Sequence, residues 1–566
     1  MRMKLILGTA LAAGVWTGFA TAQQPSPLPT LEVRVEQLEA RVRSIESVRA
    51  IKRVQYAYGH YVEFGLWDDF ADLFTENAAT NYQQGASGRA GVRKLFFEQV
   101  GQGKLGLADG RIYPHILFQP VVTLGPDGRS ANGRWRILAM LGGMGGSATW
   151  YSGVYENEYV LQDGVWKISV LRSEPKATAG YTAAGWRASG VQLPPHYTPA
   201  NLGKPVEIAT GKTTGASLAS LADRVNGLAR RAALLKDQGE VTNLLDTYGY
   251  AFERKQWEQV AGLFADNGTM ELGLQGVYAG KASIRRGLNR FGLQGLREGE
   301  RNDHVYLQTL VSVAPDGRTA SARGVELIFS SENGGELQEG VFENTFVKQD
   351  SAWKIQSVHF YPRMIVDAAT GWAKSAKPAP GPSKEFPPDR APTASYGIYP
   401  KFSVVPFHFD NPVTGKPPQY PEGVTPSPRA AAAKPSPNTV VIRNAADLEA
   451  RLTDVERAVS GAEVYDAAEN LTNAYGYSLD DSPGTDGGLT FVSHVLQPVI
   501  EVPADGKSAK VRARRLELGG TSGAAGYWSA TTFEGQIVAE KGTRKLQVTR
   551  SVKEWSAPYP GGWGKQ

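Results

Sequence analysis

Three of the chain's seven histidines open the same kind of segment. His115 begins HILFQPVVTLGPDGR and His304 begins HVYLQTLVSVAPDGR, at an offset of 189. His494 begins HVLQPVIEVPADGK, one residue shorter. A histidine can abstract a proton near neutral pH, which suits a general base. Tyr58 and Tyr248 lie upstream, each followed five residues later by a glutamate, Glu63 and Glu253. A carboxylate there can orient an imidazole or hold a water, and burial beside tyrosine would raise its pKa toward acid–base use. The two tyrosines can donate to a developing oxyanion. Tyr82, His60 and His359 each occur in one full unit only, so they are where two sites would differ. The same residues also fit plainer roles: core histidine and tyrosine with satisfied polar atoms, and glutamate on a solvated helix face. The three histidines fall in different units without short ligand spacing, so no metal is expected.

The elements that must position these residues repeat with them. Ala57-Tyr58-Gly59, Thr247-Tyr248-Gly249 and Ala474-Tyr475-Gly476 precede the histidines. Val154-Tyr155-Glu156-Asn157, Val341-Phe342-Glu343-Asn344 and Thr532-Phe533-Glu534-Gly535 follow them, and Gly185-Trp186, Gly371-Trp372 and Gly562-Trp563 close each unit. Such ordered agreement predicts one domain in three copies. Each copy opens with an apolar heptad: Leu31, Val35, Leu38, Val42, Ile45; then Leu218, Leu221, Val225, Leu228, Ala232, Leu235; then Leu448, Leu452, Val455, Val459. That period puts one apolar stripe on each helix. The stripes can pack on their own domains, on one another, or on another chain as an oligomer contact. Further helices follow around Trp67–Phe74 and Trp257–Phe264, then a strand meander with turns at Pro126-Asp127-Gly128 and Pro315-Asp316-Gly317. Helices first and strands afterwards predict α+β domains with a curved antiparallel sheet. Tyr58 to His115 spans 57 positions and Tyr248 to His304 spans 56, but Tyr475 to His494 only 19. The third unit is thus abbreviated, must borrow cover for its sheet, and reads as structural.

The expected organisation is a signal peptide at 1–22, domains at 31–186, 217–372 and 441–566, and Pro-rich connectors at 187–216 and 373–440. The connectors repeat an aromatic motif, Pro195-His196-Tyr197 and Pro406-Phe407-His408-Phe409, which suggests a tail docked on its domain. Residues 418–440 lack it and read as flexible linker.

The pattern of a helix carrying Tyr, Trp nine residues after it and Phe beyond, then strands and Asp163-Gly164-Val165-Trp166-Lys167, resembles the SnoaL-like branch of the nuclear transport factor 2 superfamily. That branch includes polyketide cyclases, ketosteroid isomerase and scytalone dehydratase. The resemblance covers residues 50–186 and 240–372 well, and 470–563 in part. It implies three tandem cone-shaped α+β barrels, the third abbreviated, each with an open end for a small hydrophobic or aromatic molecule. Counting from the shared Trp, the dehydratase's active-site Asp falls on Glu63 and Glu253, and its substrate-binding Tyr on Tyr82 and Leu272, with Glu271 beside the latter. Its first catalytic His falls on His115 and His304; Met140 and Phe329 stand where the second would be. The isomerase's oxyanion Tyr matches Tyr58 and Tyr248. Trp150, Tyr151 and Tyr155 read as barrel lining. By this matching, unit one carries the fuller set.

The 566 residues contain no cysteine and carry a formal charge of +5. Disulfides, thiolate metal sites and a cysteine nucleophile are excluded, and no basic run points to nucleic acid. Arg2 and Lys4, an apolar stretch to Phe19 and Ala20-Thr21-Ala22 read as a cleaved export signal, hence a periplasmic or secreted protein. No later segment is long and apolar enough to span a membrane. Two readings stand: an exported, cofactor-independent lyase of dehydratase or formaldehyde-releasing type, acting on a hydroxylated aromatic or polycyclic molecule by histidine base catalysis, or a non-catalytic ligand-binding or assembly protein.

Overall fold

The computed structural model describes residues 26–182, 186–189, 193–202, 204, 213–426, 433–434, 439–483, 489–520 and 526–559. The expected export segment, 1–22, and the closing Gly562-Trp563 lie outside them.

Three helices organise the molecule: Leu28–Phe64, Leu218–Glu253 and Ala445–Ser478. Their heptad stripes meet one another in a single buried seam running from Leu31, Leu221 and Leu448 to Ile45, Leu235 and Ala462. The flanks carry ion pairs at sevenfold spacing: Arg34 with Glu449 and Glu456, Arg41 with Glu463, Arg224 with Glu39, and Arg231 with Glu46. Partners advance together along both helices, so the bundle is parallel. These half-exposed pairs contribute at most about 1 kcal/mol each, and their main effect is to fix register. Because the seam is filled within one chain, the stripes offer no apolar face for the oligomer contact considered above.

Beyond the seam each helix runs over sheet. Residues 74–188 form a nine-stranded sheet, 264–367 a six-stranded one, and 482–559 a five-stranded one. In the second, strands Asn302–Val313, Thr319–Ser330, Glu336–Gln349 and Ala352–Asp367 form an antiparallel meander, and Phe264–Leu272 adds in parallel to the last. The first repeats this with His115–Leu124, Ser130–Gly143, Ala148–Gln162 and Val165–Leu171, joined in parallel by Phe74–Thr80. The third, Leu489–Glu501 to Thr543–Tyr559, has no parallel strand and no short covering helices among the described residues. Its borrowed cover is partial. Asn243 of the second helix brackets Ile500 through both backbone groups, yet Val548 and Val552 of the last strand are 38% and 44% exposed.

The units close into a ring. Gln119, Gln308 and Gln497 each sit in a β-bulge at φ 55°, 53° and 49°. Each presses its side chain on the helix of another unit, at Gly476, Gly59 and Gly249 respectively. A Cβ added at Gly59 would stand 2.2 Å from Gln308 Oε1, and one at Gly476 2.5 Å from Gln119 Nε2. Gln308 Oε1 accepts from Leu117 N at 2.7 Å, and Gln119 Oε1 from Val495 N at 2.8 Å. A second shared cluster joins Trp150, Trp186, Trp372 and Trp528, with ring centroids 5.2–5.4 Å apart. Trp150, expected to line a barrel, packs in this hub instead.

The aromatic tails dock across units rather than each on its own. Phe407 and Phe409 are buried in the first unit's core, while Arg323 of the second donates to the carbonyls of Val405 and Pro406. The tail extends into the expected linker: Asp69 accepts from Gln419 N at 2.7 Å. Leu202, after His196 and Tyr197, packs with the third helix and sheet. Of the expected linker, 427–432 and 435–438 lie outside the described residues.

Candidate functional site

Tyr58 and Tyr248 face their own sheets because each helix presents that side to the strand bearing the histidine. In unit one, His115 Nε2 lies 2.9 Å from the Tyr155 hydroxyl, which lies 3.3 Å from that of Tyr58. Tyr113 stacks on the imidazole, centroids 5.6 Å apart, and its hydroxyl meets that of Tyr82 at 3.2 Å. Among the described residues, no carboxylate joins this group. Burial pushes the His115 pKa down to about 3, so it stays neutral.

Unit two is built differently. His304 Nδ1 lies 2.6 Å from Glu326 Oε1, two residues along the neighbouring strand from Ile328, which pairs with His304. Both side chains therefore emerge on one face of the sheet. His304 Nε2 stands 3.3 Å from Asn302 Oδ1. That amide is fixed, since its nitrogen donates to the carbonyls of Phe252 and Glu253. These groups line a cavity of about 470 Å³ together with Tyr248, Tyr306 and Leu272. A neutral imidazole donating from Nδ1 to Glu326 keeps the Nε2 lone pair for a proton. Once protonated, Nε2–H donates to Asn302 while the carboxylate faces the new charge.

Glu63 and Glu253 do not orient these histidines. Five residues turn a helix by about 140° beyond a full turn, so a residue five after an inward Tyr leaves that face. Glu63 pairs with Arg363 of unit two, which also binds Glu339 at 2.6 Å. Glu253 pairs with Arg514 of unit three, which holds Glu554 at 3.0 Å and Asp303 at 3.3 Å. Asp480, also five after its Tyr, pairs with Arg136 of unit one at 2.7 Å. One acidic position thus ties every unit to another. Burial raises the pKa of both glutamates, and the facing guanidiniums oppose the rise. His60 belongs to the same interface: its Nε2–H donates to Gln308 O at 3.2 Å while Nδ1 accepts from Gln308 Nε2.

His494 is not the counterpart of His115 and His304. Aligned on the bulge glutamine, Ser493 takes that place, because unit three lacks one residue between His and Gln. A slip of one residue turns a side chain to the other face. His494 points out of its sheet's concave side, packs on Phe118 and meets Ser152 Oγ of unit one at 2.9 Å.

The SnoaL-like domain family matches residues 43–172 and 233–359. Units one and two are SnoaL-like domains. Solved structures similar to single domains include a candidate scytalone dehydratase from Novosphingobium aromaticivorans DSM 12444, 21% identical over 27% of this chain and 98% of that one, TM-score 0.23. A hexachlorocyclohexane dehydrochlorinase from Novosphingobium barchaimii LL02 is 18% identical over 27% and 97%, TM-score 0.22. A nuclear transport factor 2-like protein of cystatin-like fold from N. aromaticivorans is 20% identical over 26% and 91%, TM-score 0.21.

Within the two SnoaL-like domains, the residues missed by sequence reasoning are Glu326, Asn302 and Tyr306 in the second, and Tyr113 and Tyr155 as polar partners in the first. The signal was a paired exchange. Tyr155 and Ile137 of domain one become Phe342 and Glu326 of domain two, so the group facing the histidine moves from one strand to the next.

Proposed function

We propose that this chain is an exported lyase whose reaction runs in the cavity of SnoaL-like domain two. The observation that carries this reading is the 2.6 Å contact of His304 with Glu326 at the wall of a cavity of about 470 Å³. His304 Nε2 takes a proton from carbon, and the C–H electron pair becomes the new π bond. The leaving oxygen departs with the C–O pair and receives a proton from water or a hydroxyl donor, so no cofactor is required. Tyr248 lines the same cavity and is the candidate donor to a developing enolate or phenolate oxygen, while the Tyr306 hydroxyl is engaged by Glu326. A hydroxylated aromatic or polycyclic substrate fits the aromatic lining.

Domain one, with His115 neutral and without a carboxylate partner, is better suited to holding a ligand or to assembly than to proton abstraction. The third unit is an abbreviated copy of the same domain, kept for the ring of contacts it closes. Export to the periplasm or beyond rests on the sequence of residues 1–22.

The test is turnover of a panel of hydroxylated diaryl and polycyclic compounds. With a working substrate, His304→Ala should lower kcat about 10²–10⁴-fold, while His115→Ala, outside that cavity, should leave kcat nearly unchanged. Full activity in His304→Ala would retire the lyase reading, and retained ligand binding in that variant would favour a binding protein.

A further inference from the structure

Among the described residues, two cations line the cavity of domain two, and one of them, Arg290, makes no ion pair by direct contact. Lys377, on its rim, is bound to Glu336 at 3.1 Å and Asp367 at 2.7 Å. Arg290 is different. It follows the helix Lys281–Leu288 and lines the cavity with its guanidinium stacked at 5.0 Å on the Phe291 ring. Its Nε and Nη1 are buried without a hydrogen-bond partner among the described residues. Its polar neighbours are the Tyr278 hydroxyl and, farther off, the Glu332 carboxylate. Tyr278 donates its own proton to Phe386 O, which leaves its oxygen only as an acceptor. Burial raises the Glu332 pKa.

A guanidinium with buried, unpaired N–H groups costs free energy until an anion accepts from them. The cavity wall also carries Phe252, Phe291, Phe360 and Leu272, together with the carboxylates of Glu326, Glu332 and Glu336. We infer that this cavity is built for an aromatic carboxylate, with Arg290 as the anchor of its carboxyl group. Arg290 is a positioning residue: it fixes which ring carbon lies near His304. The inference deepens the lyase reading by naming the substrate class, but its test is binding and does not require turnover.

The probes are biphenyl-4-carboxylate and its neutral isostere biphenyl-4-carboxamide, titrated calorimetrically into the full chain. The carboxylate should bind at least tenfold more tightly. Arg290→Gln should remove that preference while leaving carboxamide affinity unchanged, and Arg290→Lys should restore part of it. The amide serves as the check on folding, because a collapsed cavity would lose both probes. Equal affinity for the two probes, binding of neither, or an unchanged ratio in Arg290→Gln would overturn the inference. Arg290-dependent binding with no turnover of any carboxylated substrate retires the lyase and keeps the anchor. Turnover with charge-blind binding does the reverse.

Discussion

The two histidines that look alike in sequence differ in what they can do, and the difference lies in one neighbour. His304 has Glu326; His115 has Tyr155, with Ile137 where the glutamate would be. Exchanging the pair should move the chemistry. In the Ile137→Glu/Tyr155→Phe variant, the His115 pKa should rise from about 3 toward or above the free value of about 6.5, because the new carboxylate favours the imidazolium. An NMR titration of the imidazole resonance reads this directly, and an unmoved pKa would mean the two side chains do not meet. Conversely, Glu326→Gln should cost about 10–100-fold in kcat with substrate affinity nearly unchanged, as for a group acting through the base. The repeat made the histidines and Tyr248 legible. Glu326 was not legible because a lone glutamate in an alternating strand is as consistent with a solvent-facing position, and only the pairing register brings it beside His304. Glu63 misled because its spacing from tyrosine was right while its helical direction was not.

At the scale of elements, helix and sheet meet where glycine lets a bulge glutamine approach. Gly59→Ala should destabilise by about 1–3 kcal/mol, the usual cost of overpacking, since the intruding methyl meets Gln308 rather than open space. Gly227→Ala, on the second long helix with nothing closer than 3.9 Å, should instead stabilise by up to about 1 kcal/mol. Chemical denaturation of both variants checks the contrast; equal effects would deny the close approach. The heptads announced the three helices, and their partners turned out to be one another. The bulges were hidden, because a one-residue deletion before Gln497 leaves the string of residue types almost intact while it turns His494 outward.

At the scale of the whole molecule, stability is distributed over interfaces that bury uncharged histidine. His60, His115 and His494 all have pKa values held below the free value by burial. A depressed folded-state pKa means the unfolded chain binds more protons below about pH 6.5, so stability falls as pH drops through that value. At pH 5 each such histidine can cost at most about 2 kcal/mol, from about 1.4 kcal/mol per pH unit. Raised carboxylates such as Glu253 act in the opposite sense, so the contrast is read by difference: between pH 7 and pH 5 the denaturation midpoint of the parent chain should fall further, or rise less, than that of His494→Gln. Equal pH slopes in the two would contradict the burial of His494. Removing residues 441–566 should leave the seam of the other two helices uncovered, and light scattering should then show self-association beyond that of the full chain.

The parallel seam also sets an order of events in time. Arg34 contacts Glu456 across 422 residues of sequence. After the second helix ends at Glu253, about 190 more residues must be made before the third begins at Ala445. At roughly 5–20 residues per second, synthesis leaves two apolar stripes without their third neighbour for about 10–40 s. A growing chain in that window is a half-filled bundle with sticky edges, so a holding chaperone, or export begun after synthesis, would decide its yield more than any residue of the cavity.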